Sequence, residues 1–153
     1  MKLAEALSLR KDLETRISKL KKLLETTVKV QEGDVPAENP EVLMKELDSC
    51  LGQLEHIIYA INITNIQIVT EDGKTMTKLL AERDVLCKRI DVLRNTFDLL
   101  AGPSSRYGRN EIKYVPTIDA KPLRKQLDKL SQQYRQLDMK IQAFNFTHDL
   151  IEQ

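Results

Sequence analysis

The chain has no tryptophan, and its three phenylalanines and four tyrosines make up only 5% of it. That composition does not build an aromatic-walled enzyme pocket. There are two cysteines, Cys50 and Cys87, and neither lies in a Cys-x-x-Cys motif or at a Cys/His spacing. A disulfide framework and a zinc finger are excluded, leaving two reduced, largely packed thiols as the expectation. No segment approaches the roughly 20 consecutive apolar residues that span a bilayer as a helix, so no integral membrane insertion is expected. An excess of one charge is missing too. Lys and Arg number 24 against 23 Asp and Glu, a net charge of +1, which gives no global field toward nucleic acid or anionic lipid. Neither a Gly-x-Ser-x-Gly nor a Gly-rich phosphate loop occurs, so no catalytic role is expected. Met1 to Leu7 enters helical periodicity at once without a signal-like apolar stretch, and the expected location is the cytoplasm.

What is abundant is charge, at 31% of residues, interleaved with apolar positions three and four apart. That spacing is the mark of long amphipathic helices. Leu3, Ala6, Arg10, Leu13, Ile17, Leu20 and Leu24 form a first run, predicting a helix over 2–27. Asn39-Pro40-Glu41 is a good helix start, because Asn caps free amides, Pro needs no partner for a missing N–H, and Glu complements the helix dipole. The run that follows, Leu43, Leu47, Cys50, Leu54, Ile57 and Ile61, predicts a helix over 40–65. Leu51 and Ile58 widen its stripe enough to face two neighbours. Met76, Leu79, Arg83, Leu86, Ile90, Leu93 and Phe97 predict a third helix over 75–101, stopping before Gly102-Pro103. Leu123, Leu127, Leu130, Tyr134, Leu137, Ile141 and Phe144 predict a fourth over 120–147, with Asp119 as its cap.

Asp72-Gly73 signals a tight turn or tiny hairpin between helices two and three. In the long loop before helix four, Glu111 to Val115 alternates like a short strand and is a candidate to pair with Val28 to Gln31. At 153 residues one continuous core is expected, so residues 1–153 read as a single domain. The fold class is all-α: four long amphipathic helices in an antiparallel bundle or coiled-coil hairpins, with short β-like segments in the long loops. Matched heptads of this length often assemble between chains, so a homo-oligomer is expected.

Several motifs resemble a known family. They are Met1-Lys2-Leu3-Ala4-Glu5-Ala6-Leu7, Val30-Gln31-Glu32-Gly33-Asp34, Asn62-x-Thr64-Asn65, Asp72-Gly73, Arg83-Asp84-Val85-Leu86, Arg106-Tyr107-x-Arg109-x-Glu111-Ile112-Lys113 and Asn145-x-Thr147. In this order they are similar to the septicolysin-like family of small bacterial proteins, largely a domain of unknown function. The resemblance spans nearly the whole chain. It implies helical oligomers with a bound metal, and the family name implies a thiol-activated, pore-forming cytolysin. No hairpin of alternating apolar residues accompanies the motifs, and neither Cys lies within them, so the residues point away from pore formation.

Three groups of residues could carry a function. Arg10 and Arg83 occupy core-type heptad positions, each about two turns into its helix, with Asn62 and Asp84 near in the same expected layer. A buried guanidinium must be paired. The layer reads either as an anion or small-ligand pocket or, more plainly, as polar residues that fix helix register. His148 and Glu152, four apart, together with His56, offer ligands suited to a divalent metal such as zinc, iron or manganese. The Glu-x-x-His pair that carboxylate-bridged bundles use is absent, and each His has an ordinary solvated or core-edge reading. Arg106, Tyr107, Arg109 and Lys113 form a basic, aromatic-bearing loop suited to phosphates and base stacking. Acidic neighbours such as Glu111 and Asp119 make a solvated, salt-bridged surface the simpler account, and no nucleic acid partner is expected.

Overall fold

A computed structural model describes residues 1–102 and 112–152. Four α-helices account for most of them: α1 (Leu3–Thr27), α2 (Pro40–Gln67), α3 (Met76–Ala101) and α4 (Ala120–Thr147). The all-α class expected from the heptads is the one observed, and each helix boundary falls within two residues of its expected place. The caps act as their chemistry requires. Asn39 Oδ1 accepts from Glu41 N at 2.9 Å, and Asp119 Oδ1 accepts from Lys121 N at 3.1 Å. At the start of α1, Lys2 N donates to Glu5 Oε2 at 2.7 Å.

The chain divides into two compact units. One comprises Met1–Thr75 with Gln142–Gln153, the other Met76–Ile141. In the first, α1 and α2 pack along each other. Arg16, past the middle of α1, reaches Glu46 near the start of α2, its Nε 2.6 Å from Oε1. Leu9, earlier in α1, shares a cavity with His56, later in α2, so the two helices run antiparallel. Leu3, Ala6, Leu13 and Leu20 of α1 and Leu43, Cys50, Ile57 and Ile61 of α2 are buried at near-heptad intervals. In the second unit, Ile90 of α3 and Leu127 and Leu130 of α4 form a core, with Leu86, Leu93, Phe97 and Tyr134 packed against it. This pair is antiparallel too. Arg83 meets the late Asp138, while Phe97 lies under the guanidinium of the earlier Arg124, 5.7 Å from the ring centroid.

Two loop expectations change. Val28 to Gln31 and Ile112 to Val115 carry no strand, so the expected β-like pairing is absent among the described residues, and Glu111 lies outside them. Those segments are exposed. At the Asp72-Gly73 turn, Gly73 adopts φ 75°, and a single antiparallel bridge joins Val69 to Thr75. That left-handed conformation costs glycine nothing, because it has no Cβ. Nor are both thiols packed. Cys50 is buried, but Cys87 is exposed, because the position lies outside the stripe of Arg83, Leu86 and Ile90.

Candidate functional site

In the first unit the segments around Lys2 and Asp149 meet each other and the later part of α2. Lys2 and Asp149 form an antiparallel bridge, flanked by Leu3 N donating to His148 O at 3.0 Å and Leu150 N donating to Met1 O at 2.8 Å. The Lys2 ammonium adds a contact of 2.9 Å to Asp149 Oδ1 and a hydrogen bond of 3.1 Å to Thr147 O. Its hydrogen bond and charge hold the Asp149 carboxyl below the usual carboxylate range. Thr64, fully buried in α2, donates through Oγ1 to Ala60 O at 2.7 Å and accepts from Ile151 N at 2.9 Å. Beside it in sequence, Asn65 Oδ1 is buried with no hydrogen-bond partner among the described residues.

The residues singled out in the sequence separate into distinct settings. Arg10 is not a buried core residue: its side chain is 43% exposed and its Nε pairs with Glu14 Oε1 at 3.0 Å, one turn on. A long guanidinium stem reaches the surface from a heptad position without stranding its charge. Arg83 is more enclosed, at 28%, and its Nη1 lies 3.3 Å from Asp138 Oδ1, with Asp84 at 3.9 Å from Nε. Asn62 and Asp84 are exposed. Each arginine thus has a carboxylate within its own unit.

His148 is half-buried just past α4 and stacks on Phe144 with ring centroids 3.9 Å apart. Its Nδ1 lies 3.1 Å from Phe144 O. Thr147 Oγ1 lies 3.0 Å from the same nitrogen. His56 and Glu152 are exposed and line one cavity of about 370 Å³ with Met1, Leu9, Ile57 and Leu150. His148 is not part of that lining. Among the described residues no three His, Cys, Asp or Glu side chains come together as a metal-holding group. Of the basic loop, Arg106, Tyr107 and Arg109 lie outside the described residues. Lys113 is exposed and lines a separate cavity of about 710 Å³ with Leu99, Tyr114 and Val115.

Sequence reasoning misses the surface that α2 turns away from its core. Met44, Leu51, Tyr59 and Ile66 are 47%, 45%, 54% and 59% exposed. At 100° per residue they fall within an arc of about 80°, roughly opposite Leu43, Cys50 and Ile57. The breadth of the apolar pattern is the available signal, and it reads as contact with a second neighbour.

The chain's likeness to known proteins adds a family without an activity. A family model described as "Family of unknown function (DUF6847)" matches residues 10–150. The chain belongs to that family. A solved structure described as that of a functionally unknown conserved protein from Corynebacterium diphtheriae is similar to it, at 40% identity and a TM-score of 0.92, covering 99% of each chain. No curated protein matches. Neither likeness carries a septicolysin-like assignment, and no helix among the described residues is long and apolar enough to cross a membrane. What the neighbour shares with this chain is its fold.

Proposed function

We propose that this chain is a self-associating helical scaffold of the cytoplasm, assembled through the outward apolar faces of its helices. The observation that carries the reading is the exposed stripe Met44, Leu51, Tyr59 and Ile66 on α2. Single exposed apolar residues are ordinary, but four in register along a helix of 28 residues make a seam of the kind helices use to pair. The exposed Cys87 thiol suits a reducing compartment. Native mass spectrometry of protein prepared without tag or chelator tests the reading. Ligand-free multiples of the 17.6 kDa chain support it, and a monomer at every concentration overturns it.

A second reading, a metal- or small-ligand-binding protein, is favoured by one observation: His56 and Glu152 line the same cavity. The two side chains alone fall short of the three or four protein ligands of typical zinc sites. An organic ligand with an apolar body suits the Leu9, Ile57 and Leu150 walls better. A stoichiometric adduct in the same spectrum, lost on His56→Ala, would replace the scaffold reading by this one.

A further inference from the structure

We infer that the seam pairs unlike faces: α2 of one copy lies antiparallel along α3 of a second copy, with Glu55 against Lys88 and Arg89. This rests on the self-association reading and names its contact. The outward face of α3 carries Val85, Val92 and Leu99, exposed by 62%, 65% and 76% and spaced by seven residues. On α2, Met44 and Leu51 are also seven apart, with Tyr59 eight further on. Seven residues are close to two helical turns, so Val85, Val92 and Leu99 form a nearly straight line that drifts only about 20° per heptad, as do Met44 and Leu51, while Tyr59 sits about 80° further round α2.

Charge decides which line meets which. The α2 face carries Glu41, Asp48 and Glu55 between its apolar residues, whereas the α3 face carries Lys78, Lys88 and Arg89, with Glu82 at its edge. An α2-to-α2 pairing that matches Met44 with Ile66 and Leu51 with Tyr59 sets Glu55 against its own copy. Like charges at the centre of such a seam oppose it. An α3-to-α3 pairing offers the basic side chains no carboxylate from α2. The antiparallel α2-to-α3 alignment sets Met44 opposite Leu99 and Leu51 opposite Val92, and brings Tyr59, one residue out of that register, beside Asp84 and Val85. In the same register Glu55, four residues after Leu51, falls opposite Lys88 and Arg89, which lie four and three residues before Val92. One alignment brings the two apolar pairs and the Glu55 charge contact together, and paired helices select partner and orientation by such matches.

The shape agrees with the charge. Beside Val85 and Arg89, the surface between α3 and α4 opens into a groove of about 380 Å³ whose floor includes Leu86 and Leu130. In this register Tyr59 lies within one residue of Val85, beside that groove. A tyrosine ring is the kind of large, rigid anchor that fills such a space while its hydroxyl stays near the polar rim.

Sedimentation velocity of the full chain tests the contact. Glu55→Lys and the double variant Lys88→Glu/Arg89→Glu alter exposed helix positions, and circular dichroism checks that both remain helical. Each variant alone is expected to dissociate at a concentration at least about tenfold higher than the wild type. Mixing the two in equal amounts restores assembly. The ammonium introduced on α2 of one variant then meets the carboxylates introduced on α3 of the other, and the native Glu55 meets the native Lys88 and Arg89. Wild-type protein that assembles while both variants assemble equally well overturns the contact and leaves self-association standing. Loss of assembly in each variant with no rescue on mixing overturns it as well. A wild type that is monomeric throughout overturns the scaffold reading and this contact with it.

Discussion

Lys2 and Asp149 are joined two ways, by an antiparallel backbone bridge and by an ammonium-to-carboxylate contact of 2.9 Å, and the Lys2 ammonium also donates to the nearby Thr147 O at 3.1 Å. The two ends of the chain therefore close on each other although 145 residues separate Lys2 from Thr147. The Lys2 hydrogen bond, and then its charge, lower the Asp149 carboxyl from its usual range. A carboxyl lowered in the folded state binds its proton less readily than in the unfolded chain. Its stabilisation is present above the unfolded value, about pH 4, and is lost as pH falls through the lowered folded value. Asp149→Asn is expected to remove this acid-sensitive component, so the stability gap between wild type and variant narrows below about pH 4. Urea midpoints at a series of pH values check it. A gap independent of pH would mean that the ammonium does not act on this carboxyl.

Thr64 is the acceptor for Ile151 N from inside α2, and it has no exposed surface. Thr64→Val keeps the shape and removes the acceptor, leaving the Ile151 amide unmatched. The expected loss is about 1–3 kcal/mol in the unfolding free energy, while Thr64→Ser retains the hydroxyl and recovers part of it. Equal losses for valine and serine would assign the effect to packing instead.

The two heptad arginines differ in what they hold. Arg83 and Asp138 bridge α3 and α4 with side chains 28% and 35% exposed. Arg10 and Glu14 pair along one exposed helix face. Arg83→Met is expected to cost up to about 1 kcal/mol in low salt, and Arg10→Met no more than about 0.5. Chemical denaturation of the two variants at low and high ionic strength orders them. A larger loss for Arg10 would contradict the placement.

These contrasts show how far the sequence carries. The heptads through Ile90, Leu127 and Leu130 announce the α3/α4 core because burial repeats at the helical period. Asn39 and Asp72-Gly73 are legible because capping and turn chemistry act over two or three residues. Arg83 is legible as a residue in need of a carboxylate, but Asp138 as that carboxylate is not, since the partner lies 55 residues away. The same holds for Thr64 and Ile151, 87 residues apart. Periodicity also reports only that a position is apolar. It does not tell a face turned to the core from one turned to solvent, and so the breadth that Leu51 gives the α2 stripe reads only as room for a second neighbour.

The outward line of Met44, Leu51, Tyr59 and Ile66 is the centre of the account, and a paired substitution in it is the most direct test. Leu51→Ser/Tyr59→Ser alters two exposed residues and leaves the buried Leu43, Cys50 and Ile57 in place. Light scattering coupled to size exclusion, run on wild type and variant over a range of loading concentrations, reads the mass. The account predicts a wild-type mass at a multiple of 17.6 kDa and a variant that falls to 17.6 kDa with its helicity unchanged. A monomeric wild type, or a variant as large as the wild type, would contradict it.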